Sequence, residues 1–130
     1  MRQIIFTALF LLSVFSIKAQ KQDSIAVFFD EMKEASVKNR GLWNKDLYGP
    51  MILIDPKTRE LYTNEPDTEG ILKRNGNIYY GILPAHINIA NTAANWAGKR
   101  WAMIMLPLSV NRYNRINLLA HESFHSIQPS

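Results

Sequence analysis

The dipeptide Asn75-Gly76 lies between two segments in which apolar and polar residues alternate. This combination is the strongest short-range signal for a β-hairpin, because both residues tolerate the positive φ angles of a tight turn. Upstream, residues 55–58 (DPKT) separate the runs MILI and ELYT and predict a type I turn with proline at its second position. The centre of the chain is therefore predicted to consist of antiparallel strands.

A third pair of strands is predicted from the segment INIANTAANWAGKRWAMIML, with its turn at Gly98-Lys99. Residues 100–106 are nearly all apolar, which is typical of a strand that is buried on both faces. Pro107 follows and has no backbone N–H to donate, so it is predicted to end the sheet.

A helix is predicted for residues 23–41, which precede the strands. Asp23 or Ser24 can cap its N-terminus, and Gly41 can end it. The apolar residues recur at helical spacing: Ile25, Phe28, Phe29, Met32 and Ala35. This pattern is typical of a helix that covers a core.

Another helix is predicted for residues 111–128, with Asn111 or Asn114 as its N-cap. Its apolar side would consist of Ile116, Leu119 or Ala120, Phe124 and Ile127. An N-terminal helix, an antiparallel sheet of hairpins and a final helix together predict an α+β fold.

The first twenty residues are predicted to be a secretory signal peptide. Arg2 supplies the positive start, residues 4–17 are an almost unbroken apolar run, and Ala19 and Gln20 lie at a suitable cleavage site. The apolar run is short for a membrane-spanning helix, so an uncleaved anchor is the less favoured alternative. The chain is thus predicted to be secreted or periplasmic, with no stable membrane insertion after the leader is removed.

Cysteine is absent from the chain. An exported form would therefore lack disulfides, and any metal would have to be held by histidine or carboxylate side chains. Removal of Arg2 and Lys18 with the leader lowers the basic count from 15 to 13, against 11 acidic residues. The charges are mixed in sign along the chain, so no nucleic-acid partner is predicted. With 130 residues, the chain suffices for one small domain.

The segment HESFH at residues 121–125 places two histidines four positions apart in the second predicted helix. Residues at that spacing lie one above the other on a helix, so His121 and His125 can bind one metal ion in a tetrahedral site. Glu122 projects from the next position around the helix, where it can accept a proton from water at the metal. Leu118 precedes the motif and would help to exclude solvent.

The stretch LLAHESFHSI resembles the active-site helix of the zincin metallopeptidases, which carries the motif H-E-x-x-H. The resemblance implies that His121 and His125 are ligands of Zn²⁺ and that Glu122 is the general base, which activates a zinc-bound water for peptide-bond hydrolysis. It also implies a peptide or protein substrate, and a sheet whose edge strand binds the substrate backbone. The hairpin around Asn91, Asn95 and Trp96 stands at the corresponding place in the chain.

The branches of the zincin family differ in their third zinc ligand. The metzincin branch has a glycine three residues after the second histidine and a third histidine three further, whereas Gln128 stands at the glycine position here and the sequence ends at Ser130. The chain is more similar to the thermolysin-like gluzincins, whose third ligand is a glutamate from a downstream helix. We expect residues 21–130 to be the N-terminal part of such a domain, with the third ligand outside this chain. His86 is the less favoured candidate for it.

These residues are compatible with three functions. The first is an exported zinc-dependent metallopeptidase. The second is an exported, non-catalytic binding module in which the H-E-x-x-H helix is structural and the strands form the working surface. The third is a zincin-like fold that serves another metal-assisted hydrolysis. A third ligand in the full-length parent, or zinc in the purified protein, would distinguish the first function from the second.

Overall fold

The computed structural model describes the backbone of residues 2–43 and 46–128, and the side chains of residues 20–41 and 46–128. Three helices and six strands follow one another in this part of the chain. They are α1 (Arg2–Lys38), α2 (Arg40–Trp43), β1 (Met51–Ile54), β2 (Glu60–Thr63), β3 (Lys73–Asn75), β4 (Ile78–Ile82), β5 (Thr92–Trp96), β6 (Lys99–Met105) and α3 (Arg112–Ile127). Helices on either side of a run of strands confirm the predicted α+β class.

The six strands form one mixed sheet in the order β3-β4-β2-β1-β6-β5. The three predicted hairpins are present as the antiparallel pairs β1–β2, β3–β4 and β5–β6. However, β1 and β6 are parallel, with Met51 opposite Ala102 and Ile54 opposite Met105. The prediction of an antiparallel sheet is therefore corrected for this pair. Turn residues specify the pairing within a hairpin, whereas the pairing of one hairpin with another depends on the burial of the whole sheet.

The predicted turn at residues 55–58 is confirmed. The Asp55 carboxylate accepts hydrogen bonds from the backbone N–H groups of Lys57 and Thr58, at 2.9 and 3.4 Å. The bond from Lys57 lowers the pKa of the Asp55 carboxyl below its ordinary value of 3.8, although partial burial acts in the opposite direction. The carboxylate thus fixes the connection between β1 and β2.

The other two hairpin turns use positive φ angles. Gly76 has a φ of 60°, which agrees with the turn predicted at Asn75-Gly76. The turn between β5 and β6 lies one residue earlier than predicted, because Ala97 and Gly98 adopt φ angles of 49° and 77°. A Cβ atom at Gly98 would lie 1.8 Å from Thr68 Oγ1, so close packing as well as backbone conformation requires glycine there.

Side chains on the two faces of the sheet form two cores. In β1, Met51 and Leu53 belong to one core and Ile52 and Ile54 to the other, and all four are fully buried. The core on the helix side includes Ile25, Phe29, Met32, Tyr62, Ile104 and Leu119. The opposite core, which the connection between β4 and β5 helps to cover, includes Leu61, Leu83, Trp96, Trp101 and Met103. Coverage of both faces explains the apolar sequence of β6 and confirms it as an inner strand.

α1 is longer than predicted: it begins at Arg2 and continues through Asp23 and Ser24. The prediction that one of these residues caps the helix is wrong, and the Ser24 hydroxyl instead donates to the Gln20 carbonyl at 3.0 Å. Inside a helix, a serine hydroxyl bonds to the carbonyl four residues back. The side chains of the predicted leader, residues 1–20, lie outside the described residues except for Gln20. Among the described residues, no helix is long and apolar enough to cross a membrane.

α3 begins where the sequence predicted. The side-chain oxygen of its N-cap, Asn111, accepts a hydrogen bond from the N–H of Asn114 at 3.1 Å. Arg115 then joins the helix to α1, because its guanidinium donates to both carboxylate oxygens of Glu31, at 2.7 and 3.1 Å. This bidentate contact raises the pKa of the Arg115 guanidinium above its ordinary value. It also fixes the position of α3 against α1.

The buried side of α3 differs from the predicted apolar side. Leu119 is fully buried and Ile127 is half-buried, as predicted, but Phe124 is exposed. Glu122 and Ser123 are buried instead, with exposed fractions of 7% and 1%. Apolar residues at helical spacing define a broad stripe, and packing against the sheet selects one edge of that stripe.

Candidate metal centre

The candidate site is built on α3, which packs against β6, β5 and α1. Leu119 enters the helix-side core. Near the end of the helix, Arg100 Nε of β6 donates to the Ser126 carbonyl at 2.9 Å. These contacts fix the helix on one side, and His121 and His125 are exposed to solvent.

His121 and His125, hereafter the histidine pair, turn their rings toward each other. Their Nε2 atoms are 3.1 Å apart. The ring centroids are 4.6 Å apart, and the ring planes meet edge to face at 78°. The structure thus brings together the two predicted zinc ligands, with their outer nitrogens adjacent to each other.

The separation of these two nitrogens suits a single zinc ion. Two imidazole nitrogens at the usual Zn–N distance of about 2.0–2.1 Å in a tetrahedral site lie about 3.3–3.4 Å apart. With the observed Nε2–Nε2 distance of 3.1 Å, both atoms could bind one ion with an angle of about 100° at the metal. The histidine pair therefore fits zinc without a change in the helix backbone.

A second contact orients one of the two rings. His125 Nδ1 lies 3.1 Å from Oε1 of Gln128, the residue that follows the last turn of α3. The backbone N–H of Gln128 also bonds to the His125 carbonyl, at 3.4 Å. The ring of His125 is thus held on both sides, by Gln128 at Nδ1 and by His121 at Nε2.

Glu122 occupies the side of the helix between the histidine pair and the sheet. Successive residues of an α-helix are rotated by about 100°, so Glu122 lies about 80° from the midline of the pair. The carboxylate makes no hydrogen bond or ion pair within the described part of the chain, although the residue is only 7% exposed. Beside it, the hydroxyl of Ser123 is fully buried and has no hydrogen-bond partner among the described residues, whereas the Glu122 oxygens are not fully enclosed. Buried polar groups without partners are rare and need an explanation.

The remaining predicted candidate, His86, lies in an exposed turn after β4. Arg59 fixes the turn that carries His86, because its guanidinium donates to the carbonyls of Leu83, Pro84 and Ile87 at 3.0, 2.7 and 2.5 Å. Among the described side chains of residues 20–41 and 46–128, no three histidine or carboxylate groups come together where they could hold a metal. His86 is therefore not grouped with the histidine pair, and the described residues bring together only two of the three protein ligands of a catalytic zinc site.

Strand β5 forms one edge of the sheet and pairs only with β6 in the described structure. Trp96 and Trp101 belong to the core, and Trp101 Nε1 donates to the Trp96 carbonyl at 2.8 Å. Asn95 is exposed and lines a shallow, open depression together with Lys99 and Arg100 at the end of the hairpin. Among the described residues, the outer backbone groups of β5 pair with no other strand.

Sequence reasoning missed the buried polar side of α3 and the contact between Gln128 and His125. Spacing offers a signal for the contact, because residues three positions apart are neighbours on a helix surface. The burial of Glu122 had no such signal, since a glutamate between a histidine and a serine is typical of a solvated face. Comparison of the chain with protein-family models, with curated proteins and with solved structures found no match.

Proposed function

We propose that the chain is the N-terminal part of an exported, zinc-dependent metallopeptidase whose metal is held by His121 and His125. The observation that carries this proposal is the 3.1 Å separation of the two Nε2 atoms, next to Glu122, a 7% exposed residue whose carboxylate has no partner among the described residues. Bound zinc lowers the pKa of water to about 7 and polarises a carbonyl, and these are the two effects that peptide hydrolysis needs.

Glu122 acts as the general base. Its carboxylate has no hydrogen bond or ion pair within the described residues that would compete for its oxygens. It lies on the flank of α3 next to the candidate ligands, on a residue that is 7% exposed. A carboxylate in this position can take a proton from the attacking water and pass it to the leaving amine.

A peptide substrate suits the surroundings of the histidine pair. α3 packs beneath β5, and the outer edge of β5 has main-chain groups that can pair with an extended peptide. An added strand on this edge would lie beside the helix that carries the candidate ligands. The two described ligands leave positions on zinc for a third ligand from outside this chain and for water.

Substitutions in the full-length parent test this function. Glu122→Gln should abolish peptide hydrolysis while zinc stays bound at one ion per chain, because the amide keeps the shape of the side chain but cannot accept the proton. His121→Ala should lose the metal itself. His86→Ala is the matched control, because it removes an exposed histidine that lies away from the pair, and it should leave zinc content and activity unchanged. Near-parental hydrolysis by Glu122→Gln would contradict the general-base role.

The alternative is an exported, non-catalytic binding module in which α3 is structural. The free edge of β5 favours this alternative, since it would serve a binding protein as well as a peptidase. The two functions differ in the role of the histidine pair. A parent protein that binds its peptide partner equally well after His121→Ala, and contains no zinc, would be the binding module.

A further inference from the structure

The amide of Gln128 contacts the ring nitrogen of His125 that faces away from the candidate metal position. From this contact we propose that Gln128 is a positioning residue that fixes His125 in the tautomer with its proton on Nδ1, so that the lone pair of Nε2 is ready to bind zinc. The inference deepens the proposed zinc function and rests on it. The tautomer itself is a property of the metal-free chain and can be measured separately.

The tautomer follows from the chemistry of the contact. The atom of Gln128 that lies 3.1 Å from His125 Nδ1 is Oε1, which can only accept a hydrogen bond. Nδ1 must therefore carry the proton. A neutral imidazole has a single N–H, so Nε2 of His125 has a free lone pair.

This assignment also determines the state of His121. The two Nε2 atoms are 3.1 Å apart, which is a hydrogen-bond distance. Because Nε2 of His125 can only accept, Nε2 of His121 must be the donor. A chain of two hydrogen bonds thus runs from His121 through His125 to Gln128. Zinc on both Nε2 atoms would leave the tautomer of His125 unchanged, whereas His121 would have to carry its proton on Nδ1 instead of Nε2.

The position of Gln128 makes this orientation local and rigid. Its backbone N–H bonds to the carbonyl of His125, so the amide approaches the ring from the capped end of the same helix. Histidines that bind metals almost always donate their second N–H to an acceptor that fixes the ring, and loss of such an acceptor typically costs 10–100-fold in metal affinity. Gln128 supplies this acceptor within the described part of the chain.

The tautomer can be tested by long-range ¹H–¹⁵N correlation spectra of the metal-free, ¹⁵N-labelled chain at pH 8.5, where unperturbed imidazoles are neutral. His125 should have a protonated Nδ1 and an unprotonated Nε2. Gln128→Met removes the acceptor at nearly constant size and should shift His125 toward the tautomer with Nε2 protonated. Gln128→Glu keeps an acceptor and should retain the parental tautomer. His86 is an internal control, because its signals should not change in either variant.

Zinc titration by calorimetry then tests the positioning role. The affinity should fall about 10–100-fold in Gln128→Met and change much less in Gln128→Glu. Gln128 is exposed beyond the last turn of α3, and unchanged far-ultraviolet circular dichroism would confirm that both variants fold. A protonated Nε2 on His125 in the parent, or equal zinc affinity in parent and Gln128→Met, would overturn the inference while the zinc function stands. Absence of zinc binding in the parent, with the expected tautomer present, would instead overturn the proposed function, and with it the role of Gln128 at the metal.

Discussion

Replacing Glu122 with methionine should make the folded chain more stable. The residue is 7% exposed and its carboxylate has no partner within the described residues, so folding removes part of the water around a charged group and supplies no hydrogen bond in exchange. A buried acceptor that lacks a hydrogen bond costs about 1–3 kcal/mol, and a charged one costs more. Methionine has a similar length and no polar group that needs a partner. A residue that lowers stability at a candidate catalytic position is typical of a functional site.

The expected gain is about 1 kcal/mol in the free energy of unfolding, the lower end of the cost of a buried acceptor without a hydrogen bond, because the Glu122 oxygens keep some contact with water. For a domain of this size, each kcal/mol corresponds to a rise in Tm of about 4 °C. Urea unfolding of the metal-free chain, followed by circular dichroism in the presence of a chelator, measures the difference. The slope of free energy against urea should stay constant, since the surface exposed on unfolding is nearly unchanged.

Glu31→Met is the matched control, because Glu31 has a similar burial but a good partner. Its side chain is 13% exposed and its carboxylate accepts two hydrogen bonds from Arg115. Removal of this carboxylate leaves a largely buried guanidinium without its counter-ion, so Glu31→Met should destabilise the fold. The two substitutions should thus have opposite signs. Destabilisation by Glu122→Met of the same size as that by Glu31→Met would refute the reasoning, because it would mean that the Glu122 carboxylate stabilises the fold.

Three further predictions concern the fold and its export. Gly98→Ala should lower the free energy of unfolding by more than the roughly 1–2 kcal/mol that a positive φ costs an alanine, because the new Cβ would also collide with Thr68 Oγ1. Gly76→Ala, which has a positive φ but open space around it, should lose only the backbone part in the same urea experiment. The pKa of Asp55 is lower in the folded chain than in the unfolded chain, so its contribution to stability should be present above about pH 4 and lost as the pH falls below that value. Urea unfolding of Asp55→Asn between pH 3 and pH 6 should accordingly depend less on pH than the parent, and an equal dependence would be contrary to this assignment. Sequencing of the exported protein should find a new N-terminus near residue 20, whereas Met1 in a membrane fraction would favour an uncleaved anchor.

Local signals in the sequence predicted the elements of this fold well. The Asn75-Gly76 turn, the Asp55 turn and the Asn111 cap act over a few residues and are present in the structure. The parallel pairing of β1 with β6 could not be predicted in the same way. It joins strands about fifty residues apart, and only the burial of both sheet faces selects it.

The candidate site was predictable to a similar extent. The motif spacing predicted that His121 and His125 would meet, because helix geometry alone brings residues four apart together. The burial of Glu122 depends on which side of α3 packs against the sheet, and this is decided by contacts such as that of Arg115 with Glu31 on a distant helix. Spacing in the sequence carries no information about that choice.

Calorimetric titration of the purified chain with zinc tests the central claim most directly. With two imidazole ligands and water in the remaining positions, the chain should bind one zinc ion weakly and exchange it readily. His121→Ala and His125→Ala should each abolish this binding, and His86→Ala should leave it unchanged. Binding that survives His121→Ala, or no binding at all, would contradict a zinc site at the histidine pair. Tight one-to-one binding that is lost in His86→Ala would contradict the expectation that the third ligand comes from outside this chain.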